Sequence, residues 1–147
     1  MTGEINLYRY GLIFMAVYAV IILLANVVLS FIDAEVGSGL NIGILIGSVT
    51  AVSYKFAVDQ GRKPVRKEKL LISLFCLIGA FAVSLIGALI VSGIQNISIS
   101  DILQGYSPTL LAISMVIVSI IYYGMIYLTF GWFVSINLKN LNKRKSK

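Results

Sequence analysis

The sequence predicts an all-α fold, a four-helix transmembrane bundle with both termini in the cytoplasm. Of the 147 residues, 59% are hydrophobic and only 12% are charged, whereas a soluble domain carries about 25% charged residues. Four apolar runs are each long enough to cross a hydrocarbon core of ~30 Å as a helix rising ~1.5 Å per residue. Basic residues occur at alternate ends of these runs. Together these features predict one integral membrane domain over residues 1–147.

The first predicted span covers about residues 10–32 and contains no charged residue. Arg9 precedes it, as in a secretory signal, but the apolar run far exceeds the ~7–15 residues of a signal core. Ile32 and Ala34 also do not fit the small-residue pattern of a cleavage site. We therefore expect this span to be retained as an anchor.

The second predicted span, about residues 39–58, is rich in glycine and is interrupted only by Lys55. A lysine near the end of a span can extend its amino group to the headgroups. The alternative is a re-entrant segment, which would leave three spans and move the N-terminus with Arg9 to the outside.

A charged hairpin at residues 59–69 follows, with Gly61 suited to end one helix and Pro64 suited to the first turn of the next. Lys55 and Asp59 lie four residues apart and are expected to form an ion pair. The basic residues around the hairpin are candidates for contact with lipid phosphates or with a partner. They are Lys55, Arg62, Lys63, Arg66, Lys67 and Lys69.

The third and fourth predicted spans cover about residues 70–94 and 109–136, and a basic tail at 139–147 closes the chain. The loops after spans one and three carry Asp33, Glu35 and Asp101 but no basic residue. Because cytoplasmic segments are enriched in lysine and arginine, the hairpin, the tail and the N-terminus are predicted to face the cytoplasm. Short juxtamembrane basic clusters of this kind are typical of topology signals, and no nucleic-acid partner is predicted.

Small residues predict how the spans pack, since tight association in lipid requires close approach of backbones. Span two carries a ridge of small residues at intervals of four, and span three carries a second one. The ridges are Gly39, Gly43, Gly47 and Ala51, a glycine zipper, and Ala80, Ser84, Ala88 and Ser92. The short hairpin predicts that spans two and three are antiparallel neighbours packed through these ridges. The alternative is that the zipper faces another subunit.

Polar chemistry within the spans is sparse. The Asn26 amide is not fully satisfied by its own helix and is predicted to bond to another helix, whereas serine and threonine hydroxyls can bond to carbonyls of their own helix. The chain has no histidine and one cysteine, Cys76, and no acidic residue lies within the apolar core of a span. Metal ligands and acid–base pairs are therefore missing, and the sequence predicts no cofactor, no metal site and no enzymatic activity. A cation site formed by Asp33, Glu35 and Asp101 is a further alternative.

The hairpin contains a recognisable pattern, Ser53-Tyr54-Lys55-Phe56 followed by Asp59, Arg62, Pro64 and Lys67-Glu68-Lys69. It resembles the cytoplasmic hairpin of an uncharacterised family of small bacterial inner-membrane proteins with four predicted spans. The resemblance is close in the hairpin and elsewhere extends only to the hydropathy pattern. It implies a multi-pass protein of the bacterial inner (plasma) membrane and implies no activity.

Two classes of function fit these residues. The first is a non-enzymatic protein that binds another membrane protein through its helices, for example an immunity protein against a membrane-inserting bacterial toxin. The second is a homo-oligomeric channel or a small exporter, lined by the glycines of span two and the serines of spans two and four. A proton-driven antiporter like the small multidrug exporters is not predicted, because span one lacks their membrane-embedded glutamate.

Overall fold

The fold is a bundle of packed α-helices, each long and apolar enough to cross a membrane. A computed structural model describes residues 6–32, 38–95 and 107–145. Every predicted span lies within one helix, which confirms the all-α architecture. The second helix is continuous over 23 residues, about 34 Å at ~1.5 Å per residue, which argues against a re-entrant segment. The helices are α1 (Leu7–Ile32), α2 (Ser38–Gln60), α3 (Arg66–Gln95) and α4 (Pro108–Lys145).

Local capping fixes the turn between α2 and α3. Gly61 has a φ of 60° and donates its N–H to the Ala57 carbonyl at 3.0 Å, the left-handed helix ending that glycine favours. The Glu68 carboxylate accepts the Val65 N–H at 2.9 Å, which is one half of a capping box. Because α3 begins at Arg66, Pro64 precedes the first turn of the helix and does not lie within it.

Around the bundle, α1 packs against α2 and α3, and α4 packs against the same two helices. The predicted pairing of α2 with α3 is wrong, because these helices lie diagonally across the bundle. Neighbouring helix axes in a bundle lie 8–10 Å apart, so the axes of two diagonally placed helices lie roughly 13 Å apart. An extended connection over residues 61–65 reaches about 17 Å. A short loop therefore permits a diagonal connection and does not dictate adjacency.

Two glycines mark a close approach between α1 and α3. A Cβ added at Gly11 would lie 2.9 Å from Phe75 Cβ, and one added at Gly79 would lie 2.5 Å from Met15 Cγ. The paired positions advance together along both helices, so α1 and α3 are parallel neighbours. These two buried glycines, and not the predicted ridges, mark the tightest contact between α1 and α3.

The aromatic part of the core lies in the half of the bundle that contains Arg9, the hairpin and the end of α4, which we call the basic end. Phe14, Phe56 and Phe130 are each 0% exposed there. The Phe56 ring lies 5.6 Å from the Phe130 ring and 5.3 Å from the Tyr10 ring. Aromatic side chains from α1, α2 and α4 thus fill the bundle axis at the basic end.

Toward the opposite end, which we call the far end, α3 and α4 bury less of each other's surface. On α3, Cys76 and Ala80 are buried, but Ser84, one turn further on the same face, is exposed. On α4, Ile126 is 1% exposed, whereas Val118, about two turns toward the far end, is 42% exposed. The bundle therefore opens on the side of α3 and α4 near the level of Ser84, whereas α2 remains buried at Leu45.

Candidate functional site

The glycine ridge of α2 lies on the outside of the bundle. Gly39, Gly43 and Gly47 are exposed, and a Cβ added at any of them would meet nothing within 4 Å. The opposite side of the helix is packed, with Leu45 and Val49 each 1% exposed. The expectation that these glycines pack within the chain is therefore wrong. We call these three residues the glycine face.

The other ridge residues are spread over different surroundings. Ala51 is half-buried, Ala80 is 5% exposed and belongs to the core, Ser84 and Ala88 are exposed, and Ser92 is half-buried. Because α3 lies diagonally opposite α2, this ridge does not meet the glycine face. Sequence reasoning gave no role to Gly11, although an isolated glycine among bulky residues is a signal of close helix approach.

Hydrogen bonds join α1 to α2 at the basic end. Lys55 and Asp59 form the predicted ion pair at 2.8 Å. Asp59 also accepts the Tyr10 hydroxyl at 3.5 Å, and Gln60 donates to the same hydroxyl at 3.4 Å. Tyr10 is 3% exposed, so this network fixes α1 against the end of α2.

The predicted basic cluster divides into two groups. Arg62 donates to both Glu68 carboxylate oxygens, at 2.6 and 3.0 Å. This bond raises the pKa of the Arg62 guanidinium, which stays charged. Lys55 and Arg62 are thus engaged within the chain, and so is Lys69. The residues Lys63, Arg66 and Lys67 are exposed.

Lys69 crosses from α3 to α4. Its amino group lies 3.6 Å from the centre of the Tyr127 ring, a cation–π contact. Its Cε and Nζ lie 2.7 and 2.5 Å from the position that a Cβ at Gly131 would occupy. Gly131 therefore provides the space in which the lysine stem lies.

Asn26 does not make the predicted contact with another helix among the described residues. Its amide donates to the Ile22 carbonyl at 2.9 Å, one turn earlier in α1, and the residue is exposed.

Within the described residues, no group of three or more histidine, cysteine or acidic side chains is placed to hold a metal ion. Asp33, Glu35 and Asp101, the alternative cation ligands, lie outside the described residues. Cys76 is 1% exposed and lies within the packed half of the bundle.

A cavity of about 90 Å³ lies where the bundle opens. Tyr18 of α1 and Tyr122 of α4 line it together with Ala80, Phe81 and Ser84 of α3. The surface of the cavity is almost entirely apolar.

Comparison of the chain with models of protein families, with curated proteins and with solved structures found no match. The fold itself defines the class: a multi-pass membrane protein whose four packed helices are each a candidate span. Its helices contact the lipid bilayer through a largely apolar surface, which includes Leu23, Leu85 and Leu128, each more than 60% exposed.

Proposed function

We propose that this chain is a non-enzymatic membrane protein that acts by binding a helix of another membrane protein through the glycine face of α2. The observation that carries the proposal is the position of Gly39, Gly43 and Gly47, which lie exposed with open space around them. Hydrophobic burial does not drive helix association in lipid, so a surface for binding must offer close backbone approach. A row of glycines on the lipid-facing side of a span provides it.

The remainder of α2 supports this role, because it holds the glycine face in place. Val52 and Phe56 are 0% exposed, and α2 packs against both α1 and α4. A surface that is already ordered loses little conformational entropy on binding. Among the four candidate spans α2 is also the least apolar, as expected of a helix that is partly covered by protein.

The membrane and the orientation proposed for this chain restrict the class of protein that could bind the glycine face. The basic hairpin and tail favour a cytoplasmic position for the basic end, and the hairpin resemblance favours the bacterial inner membrane. The glycine face then lies in the outer half of the bilayer, where a helix inserting from outside arrives first. This position favours the immunity form of the proposal, with a toxin helix as the partner.

A conduit through a single chain is the less favoured function. The side chains of Phe14, Phe56 and Phe130 fill the axis of the basic end. The two buried serines of α2 do not line a path, because Ser48 and Ser53 donate to the Ile44 and Val49 carbonyls of their own helix. Under the channel hypothesis a path would have to run between copies of the chain.

The test is site-specific photo-crosslinking in the native membrane. A photoreactive side chain replaces Leu40, which is 39% exposed beside the glycine face. We expect one discrete adduct with another membrane protein, and we expect Gly43→Leu to reduce its yield at least tenfold. Gly93→Leu is the matched control, because Gly93 is exposed on α3 with nothing within 4 Å of an added Cβ.

Three results would contradict the proposal. They are the absence of a discrete adduct, an adduct yield that Gly43→Leu leaves unchanged, and equal loss of the adduct in the Gly93→Leu control. An adduct of twice the chain's mass would identify a second copy as the partner and favour the oligomeric conduit.

A further inference from the structure

We infer that Arg66 and Lys69 form a binding site for the phosphate group of an anionic phospholipid. The two residues lie at the basic end of the line along which α3 packs against α4, which we call the α3–α4 seam. The site is separate from the glycine face, which belongs to α2. The inference does not depend on a partner protein, and it selects two residues from the predicted basic cluster.

Lys69 brings an amino group into the α3–α4 seam. The amino group lies 3.6 Å from the centre of the Tyr127 ring and 2.5 Å from the position of a Cβ at Gly131, so the side chain reaches from α3 across to α4. An ammonium group carries three N–H donors, and the aromatic ring attracts it without supplying a negative charge. Lys69 is only half-buried, so its remaining donors are accessible to a ligand.

Arg66 lies beside Lys69 on α3. Residues three apart on a helix are neighbours, with Cβ atoms about 5–6 Å apart, and Arg66 is exposed. Its guanidinium is a planar fork of N–H donors that matches two oxygen atoms of one phosphate, whereas a lysine ammonium acts as a point charge. The two side chains therefore offer a phosphate both a directional contact and an adjacent positive charge.

Neither of these two basic residues has a carboxylate partner in the part of the chain that the structure describes. The described residues include two carboxylates, and each is already paired. Asp59 binds Lys55 at 2.8 Å. Glu68 is next to Lys69 in the chain, but both of its oxygens accept N–H groups of Arg62. The seam thus holds two positive charges for which an anionic ligand supplies the counter-charge.

The site lies at the level expected for lipid headgroups. Lys69 is the last charged residue before the uncharged run 70–94 of α3. On α4, Trp132 directly follows Gly131, the residue that meets the Lys69 amino group, and is 67% exposed. Tryptophan is enriched at the interface between membrane and water. Because lipid phosphates occupy this interface, they are the anions available to both Arg66 and Lys69.

Toward the far end, exposed apolar side chains border the seam. Leu70 and Leu74 on α3 are 45% and 43% exposed, and Leu128, next to Tyr127 on α4, is 69% exposed. The acyl chains of a bound lipid can lie against these leucines, whereas a soluble phosphate gains nothing from them. Two positive charges favour an anionic headgroup over a zwitterionic one. The combined surface therefore favours an anionic phospholipid.

Trp132 is the chain's single tryptophan and reports on the lipid beside the site. The full-length protein is reconstituted into vesicles of phosphatidylcholine and phosphatidylglycerol with matched acyl chains. One of the two lipids carries bromine atoms, which quench tryptophan fluorescence at short range, and the brominated lipid is then exchanged for the other. We expect phosphatidylglycerol to bind beside Trp132 at least about fivefold more tightly than phosphatidylcholine, since one basic residue at the membrane surface contributes roughly fivefold.

Three variants that each remove one positive charge test the assigned residues. Arg66→Gln and Lys69→Gln are each expected to reduce the preference for phosphatidylglycerol roughly three- to fivefold. Lys67→Gln is the matched control and is expected to leave the preference unchanged. Lys67 is exposed and points about 100° around the helix from Arg66, away from the seam. Because Arg66 is exposed, its variant decides the question even where Lys69→Gln disturbs the contact with Tyr127.

Equal quenching by the two brominated lipids overturns the inference. An equal loss of preference in Arg66→Gln and Lys67→Gln also overturns it, because such a loss indicates a general attraction between the basic end and an anionic membrane. Inorganic phosphate is then added at constant ionic strength, and the preference for phosphatidylglycerol is expected to persist. Loss of the preference would identify free phosphate, and not a lipid, as the anion that the two residues bind.

Discussion

The substitution Gly11→Ala tests the contact between α1 and α3 most directly. An added Cβ would lie 2.9 Å from Phe75 Cβ and 3.5 Å from Phe75 Cγ, whereas carbon atoms in favourable contact lie about 3.5–4.0 Å apart. Phe75 Cβ is held close to its backbone, so the helices must separate by several tenths of an ångström. Overpacking of this kind costs about 1–3 kcal/mol.

The matched control is Gly43→Ala, because a Cβ there meets nothing within 4 Å. Alanine has a higher helix propensity than glycine, by up to about 1 kcal/mol in water, so this variant is expected to be neutral or slightly stabilised. Gly79→Ala should be intermediate. Its Cβ would approach Met15 Cγ at 2.5 Å, but a methionine side chain can move aside.

The chain contains its own probe for the assay, since Cys76 is the single cysteine and is 1% exposed. Its rate of modification by a maleimide in detergent micelles reports how often the α1–α3 contact opens. A destabilisation of about 1–3 kcal/mol corresponds to roughly 5- to 150-fold faster modification. Equal rates for Gly11→Ala and Gly43→Ala would refute the role assigned to Gly11.

Three further predictions follow from the described contacts. Gly61→Ala should destabilise the hairpin by about 1 kcal/mol, because Gly61 has a φ of 60° and a Cβ is disfavoured there. The maleimide assay on Cys76 measures this loss of stability, and an unchanged rate of modification would contradict the prediction. Gly131→Val should displace Lys69, whose Nζ lies 2.5 Å from an added Cβ, and faster acetylation of Lys69 in the variant is the expected readout. Ser73→Ala should leave the stability of the protein unchanged or raise it by up to about 1 kcal/mol, because the fully buried Ser73 hydroxyl has no hydrogen-bond partner among the described residues. Clear destabilisation of the variant would reveal a hydrogen bond that the structure does not contain.

Features that depend on neighbouring residues were predicted well. The four spans were predictable because a long apolar run with few or no charged residues identifies a candidate span. The Lys55–Asp59 pair followed from a spacing of four residues on one helix. The end of α2 at Gly61 followed from the backbone conformation that glycine alone adopts readily.

Features that depend on which helices meet were predicted poorly. The glycine face was identified as a surface, but its assignment to the interior was wrong, because Gly43 and Gly47 face outward. Gly11 carried a local signal of close helix approach but not the identity of the helix that it meets, and the opening at Ser84 had no local signal. The cavity between Tyr18, Ser84 and Tyr122 combines residues from three helices and was not anticipated.

The sequence by itself determined that this protein carries four spans for a membrane, but not the full length of its helices, since α3 begins at Arg66 and α4 continues through the predicted tail to Lys145. Only the tertiary structure decided that α2 lies diagonal to α3, that Gly11 meets Phe75, and that the glycine face points outward. The physical reason is the solvent. In water a helix shows its buried side as an apolar stripe, but in lipid both the buried and the exposed sides are apolar, so the sequence pattern does not distinguish the packing face.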